Sequence, residues 1–163
     1  MKALVISDIH DNLANLEALA SKVSSIKLSG IIVAGDICSL ATLKKIALLF
    51  PVKIWAVAGN GDYLKNNLDD GQIFFSLKPF IFEIRNYKIG LAHTPAEAKN
   101  LWQENQTLDF IFYGHTHFPS VETWEKTLAI NSGNLAGTRA PATYATIDFE
   151  KSPPVFKLHR LYE

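Results

Sequence analysis

The 163-residue chain has a single cysteine, Cys38, and no excess of either charge, since 16 Lys and Arg balance 16 Asp and Glu. A lone cysteine excludes an internal disulfide framework and fits a reducing compartment, so a cytoplasmic location is expected. Zero formal charge with neutral histidine argues against a general electrostatic grip on duplex nucleic acid or an anionic membrane and leaves room only for a local basic patch. No apolar run approaches the roughly 20 residues of a membrane span. The N-terminal run from Ala3 to Ile6 is too short for a signal-peptide core. Repeats, low-complexity tracts and Gly/Ser linkers are also missing. What remains is an ordinary globular composition, 48% hydrophobic and 20% charged. It fits one domain over residues 1–163, long enough to bury roughly 68–70% of its unfolded surface.

Hydrophobic patterning predicts alternating elements early and strands late. Buried strands are expected over Ala3–Ser7, Gly30–Ala34 and Val52–Ala58. Helical spacing covers Asn12–Val23 and Leu40–Phe50, the second ended by Pro51. Phe80–Ile84 and Lys88–Ala92 read as a hairpin, Pro95–Gln103 as a short helix and Asp109–Tyr113 as a buried strand. Val121–Trp124, Leu128–Asn131, Thr143–Phe149 and Val155–Leu161 complete the strands, with a turn at Lys151–Pro154. The stretch 63–78 gives no clear element: Asn66–Gly71 is turn-rich, while Ile73, Phe74 and Phe75 are apolar. A β-α-β-α-β beginning followed by a strand-rich half predicts an α/β fold, with two sheets packed together and helices outside.

Five polar segments each follow a predicted strand: Asp8-Ile9-His10, Gly35-Asp36, Gly59-Asn60-Gly61-Asp62, His93 and Gly114-His115-Thr116-His117. In open α/β sheets the ligand crevice lies beyond the carboxyl ends of the strands, which is where these segments fall. They bring two carboxylates, four imidazoles and one carboxamide. Such a mixture suits Mn²⁺, Fe, Zn²⁺ or Ni²⁺ better than Ca²⁺ or Cu(I), and the number is too large for one tetrahedral ion. The glycines end their strands where a sharp turn aims the next side chain. Taken singly the segments are weak: Gly-Asp means little, and five histidines yield roughly 0.1 His-x-His pairs by chance. Their order, each at a strand end, is the strong signal.

The series resembles the calcineurin-like metallophosphoesterase superfamily, whose pattern runs Asp-x-His, Gly-Asp, Gly-Asn-His-Asp/Glu, His and Gly-His-x-His. Length and spacing are most similar to its small single-domain bacterial and archaeal phosphodiesterase branch, related to the retromer scaffold subunit. The resemblance implies a four-layer α/β/β/α sandwich of two mixed sheets flanked by helices, with a dinuclear site at one edge. It implies that Asp8, His10 and His117 hold one divalent ion, that Asn60, His93 and His115 hold the other, and that Asp36 bridges. Two ions about 3.5–4 Å apart, Mn²⁺ favoured with Zn²⁺, Fe²⁺ or Ni²⁺ as alternatives, would clamp a phosphoryl group for in-line attack by a bridging hydroxide. Asp36, Asn60 and His93 would be catalytic. Asn12, Asn134 and Arg139 would contact a small phosphoester substrate, with a phosphodiester favoured over a monoester. Asn134 and Arg139 lie in Asn131-Ser132-Gly133-Asn134…Arg139, which resembles a later Asn-Pro-Gly-Ser…Arg segment of the branch.

Departures from the pattern keep other readings open. Gly61 stands where a proposed general-acid histidine often sits, which predicts slow turnover of alkyl phosphates. Thr94 follows His93 where glycine is usual, and Asp11 follows His10 where glycine is common. A scaffold that keeps the fold without robust turnover is the alternative to an enzyme. Nuclease activity is a third reading, disfavoured by the neutral charge. Each residue also has a structural alternative: Asn60 as a turn residue, His93 as a satisfied buried histidine, Asp62 as a turn or supporting residue, and Cys38 as a small buried hydrophobe. No duplex nucleic acid or membrane partner is expected, and a homo-oligomer remains open.

Overall fold

Apolar runs of four or five residues joined by ten-residue helices favour parallel pairing, because the helix carries the chain back to the starting edge. The computed structural model, which describes residues 1–163, shows this for β1 (Lys2–Ile6), α1 (Leu13–Lys22), β2 (Gly30–Val33), α2 (Leu40–Leu49) and β3 (Lys53–Val57). The strands β4 (Leu68–Asp69) and β5 (Ile73–Ser76) follow. After them come β6 (Phe80–Ile84), β7 (Tyr87–Leu91), α3 (Pro95–Glu104), β8 (Phe110–Tyr113), β9 (Ser120–Trp124) and β10 (Thr127–Asn131). The chain ends with β11 (Thr143–Asp148) and β12 (Val155–Arg160).

These strands form a seven-stranded sheet in the order β12-β11-β1-β2-β3-β5-β4 and a five-stranded sheet in the order β6-β7-β8-β10-β9. Both are mixed. β1, β2, β3 and β5 run parallel in the first, and β7, β8 and β10 in the second. Side-chain alternation assigns the layers. Leu4, Ile6, Ile31 and Val33 face α1 and α2, whereas Ala3, Val5, Ile32 and Ala34 face the other sheet. From that sheet Ile89, Leu91, Phe110, Phe112 and Ile130 fill the same interior, while Ile111, Tyr113 and Ala129 pack on Ala98 and Trp102 of α3. The result is the expected α/β/β/α arrangement. No helix is long and apolar enough to cross a membrane.

Local chemistry explains the helix starts. Asn12 and Ser39 cap α1 and α2 by accepting from the N–H of Asn15 and Thr42. Thr94 opens α3 with a reciprocal capping box to Glu97. A side chain that can cap is the physical reason for threonine where the resembling pattern has glycine.

The stretch 63–78, where spacing predicts no element, holds β4 and β5. β5 extends the parallel row beside β3. Its alternation is hidden because both faces are apolar: Ile73 and Phe75 are buried under the helices, and Phe74 packs edge-on against Phe80 of the second sheet. Phe75→Ala should therefore cost about 3–5 kcal/mol of stability in urea unfolding, and Phe74→Ala less than half as much. Equal losses would contradict the assignment of Phe75 to the core.

Candidate metal centre

In both sheets the parallel strands end at the same edge, so the loops after β1, β2, β3, β7, β8 and β10 converge. Backbone hydrogen bonds tie them together. The N–H of Asp8 donates to the Gly35 carbonyl at 3.0 Å, those of Ile9 and His10 to Asp36 at 2.9 and 3.0 Å, and that of Gly114 to His93 at 2.9 Å. Leu135 and Ala136 donate to the carbonyls of Ser7 and Asp8 at 2.9 and 3.0 Å.

Left-handed backbone aims the side chains. Seven of the nine non-glycine residues with positive φ are here: Asp8, His10, Asp11, Asp36, Cys38, His115 and His117. Each costs roughly 1–2 kcal/mol, and such strain gathers where a structure is committed to a function. An extended Gly-His-Thr-His would point both imidazoles the same way. With φ of 70° and 65°, His115 and His117 instead diverge to opposite halves of the site.

In one half, Asp8, His10, Asp36 and His117 place one ligand-type atom each within 4.8 Å of the others. The Nε2 atoms of His10 and His117 lie 3.2 Å apart, and His117 Nε2 is 3.3 Å from Asp8 Oδ1. In the other half, Asn60 Oδ1 is 3.1 Å from His93 Nε2 and 2.8 Å from His115 Nδ1. Asp36 joins them through different oxygens, Oδ2 at 3.6 Å from His10 Nε2 and Oδ1 at 3.3 Å from His93 Nε2. All seven expected ligand residues thus come together, in two groups that share one carboxylate.

Supporting contacts orient these atoms. His93 Nδ1 donates to the Ala34 carbonyl at 2.8 Å, which leaves the Nε2 lone pair facing the cluster. His117 Nδ1 meets the Thr138 hydroxyl at 3.0 Å. Asp62, expected as a supporting residue, accepts from the N–H of Gly59 at 2.6 Å and of Cys38, and so staples two site loops. Gly59 has no side chain because a Cβ would collide with the Asp36 carboxylate.

Charge effects follow the geometry. Burial pushes the Asp8 carboxyl up, against the Ser7 hydroxyl, the charges on His93 and His117 and the His115 N–H. At Asp36 burial acts upward too, but His93 and the Gly61 N–H outweigh it and the carboxyl sits low. Burial opposes the charged form of His93, yet Asp36 and the Ala34 carbonyl raise it overall. His117 is lowered by burial, with His10 and Arg139 adding to the effect and Asp8 opposing it.

Three expected substrate contacts fare differently. Asn134 is fully buried; its amide donates to the His117 carbonyl at 3.0 Å and accepts from the Thr138 N–H at 3.0 Å, which ties two site loops together. Asn12 is spent on the Asn15 N–H and on the Ala136 carbonyl, the latter at 3.1 Å. Arg139 is exposed and close enough for its charge to reach His117. Cys38 is half-buried, not a core hydrophobe. Its Sγ lies 3.8 Å from His10 Nδ1, and burial together with Asp11, Asp62 and Asp36 pushes the thiol up to about 11. Asn131, to which the sequence assigns no role of its own, donates to the Gly114 carbonyl and Thr116 hydroxyl at 2.9 Å each and fixes the loop that bears His115 and His117. Its place beside a glycine turn was the available signal.

The model of the calcineurin-like phosphoesterase superfamily domain matches residues 1–152. The phosphodiesterase MJ0936 of Methanocaldococcus jannaschii is 30% identical over 159 residues, covering 93% of this chain and 95% of that protein. Among solved structures, an archaeal phosphodiesterase superposes with a TM-score of 0.81 at 23% identity, covering 98% of this chain and all of that one (100%). Vacuolar protein sorting 29 of Cryptosporidium parvum gives 0.69 at 19% identity, with 97% and 96% covered. The phosphoesterase Yfce of E. coli gives 0.68 at 19%, with 99% and 94% covered. At these identities the solved structures speak for the fold alone.

The raised Asp8 carboxyl yields a signed expectation. A carboxyl raised in the folded state favours its protonated form there. That stabilisation is complete below the unfolded value and is lost as pH rises through the folded one, so at pH 7 the ionised group destabilises the metal-free chain. Asp8→Asn keeps an acceptor for the His115 N–H. It should raise the metal-free melting temperature at pH 7 by about 2–4 °C and remove most of the rise that Mn²⁺ gives the wild type. Melts in EDTA and in Mn²⁺ read both effects, and a lower metal-free melting temperature in the variant would contradict the assignment.

Proposed function

The chain belongs to the calcineurin-like phosphoesterase superfamily, and from that premise we propose that it is a dinuclear metal-dependent phosphodiesterase acting on small esters. The observation that carries the reading is the Asp36 carboxylate, whose two oxygens face two separate groups of nitrogen and oxygen ligands. Asp8, His10 and His117 would hold one divalent ion, and Asn60, His93 and His115 the other, with Asp36 shared. The mixed carboxylate, imidazole and carboxamide set fits Mn²⁺, Fe²⁺, Zn²⁺ or Ni²⁺, of which we favour Mn²⁺. When bound, the ions supply positive charge for phosphoryl oxygens and acidify a water for in-line attack.

The chain's own residues do the rest. Asn60 and His115 are exposed at the rim and can reach an incoming phosphoryl group, whereas Asp8, Asp36 and His93 are buried beneath it. The imidazole of His93, held through Nδ1 on Ala34, keeps its orientation during turnover. Arg139 adds positive charge on the His117 side. At position 61 there is only a backbone N–H, which donates to Asp36 Oδ1 at 2.7 Å, so no side chain there can protonate the departing oxygen. Esters whose leaving group is stable as an anion are therefore favoured.

The test is hydrolysis of bis(p-nitrophenyl) phosphate with added Mn²⁺, with at least a 100-fold loss, roughly, in Asp36→Asn. Absence of turnover with Mn²⁺, Fe²⁺, Zn²⁺ and Ni²⁺ alike would favour a scaffold role instead. Gly61→His probes the missing proton donor. A Cβ at 61 would lie 3.2 to 3.4 Å from Asp36 atoms, close enough to need a small shift and no more. The variant should speed alkyl diesters by about tenfold or more while leaving nitrophenyl diesters nearly unchanged. Equal effects on both would show that position 61 does not serve the leaving group.

A further inference from the structure

The C-terminal end of β12 returns to the same edge as the metal centre, because β12 is antiparallel to β11 and β11 to β1. There a groove of about 420 Å³ opens between the start of α1, the loop after β10 and the last residues of the chain. Its walls include Asn12, Ala136, Pro141, Arg160, Tyr162 and the acidic Glu163. Two of them continue directly from the centre. Ala136 donates its N–H to the Asp8 carbonyl at 3.0 Å, and Asn12 follows His10 by two residues and holds the Ala136 carbonyl at 3.1 Å. The loop between Ala136 and Pro141 also carries Thr138, which touches His117. One continuous segment therefore borders the ligand cluster on one side and the groove on the other.

The polar groups in the groove differ in availability. The Asn12 and Asn15 amides are consumed by backbone partners and by each other's loop. The Tyr162 hydroxyl donates to Asn15 Oδ1 at 2.8 Å, which fixes its ring as a standing aromatic wall, 55% exposed. The guanidinium of exposed Arg160 has no carboxylate within ion-pair distance and no hydrogen-bond partner in the chain. A free bidentate cation beside a fixed aromatic face suits a planar ring followed by an anion.

We propose that this groove is a substrate subsite for the second arm of the phosphodiester, and that Arg160 selects arms bearing a further phosphate, with Tyr162 as the wall for a ring between the two phosphates. The inference rests on the phosphoesterase reading for its place in turnover, but not for its test. The substrate class it names is a small nucleotide-like diester with a second phosphate monoester.

The experiment is direct binding, by calorimetry, of thymidine 3′,5′-bisphosphate and thymidine 5′-phosphate to the Mn²⁺-loaded full chain and to Arg160→Ala and Arg160→Lys. The wild type should bind the bisphosphate about tenfold more tightly. Arg160→Ala should erase that preference without weakening the monophosphate, and Arg160→Lys should restore part of it. Equal affinities in the wild type, or an equal loss for both ligands in Arg160→Ala, would overturn the proposal. Because binding is read without turnover, a chain that hydrolyses no ester would refute the enzyme and still decide the subsite. In an active chain, Arg160→Ala should raise KM for the nitrophenyl ester of the bisphosphate, leave its kcat alone, and leave bis(p-nitrophenyl) phosphate unaffected.

Discussion

A single carboxylate, Asp36, governs the organisation of this molecule. It lies at the carboxyl end of β2, nearly buried, with one oxygen toward His10 and the other toward His93. Burying a carboxylate is expensive unless it is paired and hydrogen-bonded. Here His93 and the Gly61 N–H offset that cost strongly enough to keep the carboxyl low despite its burial. Asp8, more deeply buried, is driven the other way in spite of the Ser7 hydroxyl, the charges on His93 and His117 and the His115 N–H. Two acids a few residues past neighbouring strands thus answer burial in opposite directions. The difference tracks burial, which is deeper at Asp8.

That position requires both sheets. β1, β2 and β3 deliver Asp8, His10, Asp36 and Asn60, while β7 and β8 deliver His93, His115 and His117. The hydrogen bond from His93 Nδ1 to the Ala34 carbonyl crosses from one sheet to the other, and so does that from Ser7 Oγ to the Gly133 carbonyl at 2.6 Å. The apolar interior between the sheets, with Val5, Ile32, Phe112 and Ile130, sets the separation across which these bonds can close. Core packing and site geometry are therefore one constraint, because a shift between the sheets would part Asp36 from His93. Close approach is paid for in side-chain volume: Gly114 sits where a Cβ would come within 2.5 Å of Asp8 Oδ2.

The candidate ligands were legible in the sequence because they lie in short polar segments that directly follow apolar runs, a local pattern. Nearly all the strands and helices were legible for the same reason. The misses share a cause in long-range contact. β5 is apolar on both faces since Phe74 meets Phe80 of the other sheet, so its alternation vanishes from the local pattern. The sequence does not show that the Asn134 amide ties two loops, because only the fold brings the His117 carbonyl to within 3.0 Å of it. Cys38 reads as a small hydrophobe, and only the turn at Asp36, with its left-handed backbone, brings the thiol beside His10. Thr94 looks like a departure from a pattern and is a helix cap.

This division of labour separates what the fold requires from what chemistry can vary. The buried acids and His93 are locked by backbone bonds and strained dihedrals, so altering them disturbs the junction of the two sheets. The rim arginines carry no such burden, and position 61 bears on the cluster only through its backbone N–H to Asp36. Gly61 has an ordinary backbone, where a Cβ would need a small shift of Asp36, and neither Arg139 nor Arg160 forms an ion pair. On the proposed phosphodiesterase reading, substitutions at these positions would act on the choice of ester more than on the buried ligands, because a pocket wall contributes to one substrate over another. A site assembled this way keeps its ligand geometry under substitution at the rim. The loops around Asp36, and not Asp36 itself, are therefore where chains with the same candidate ligands can differ.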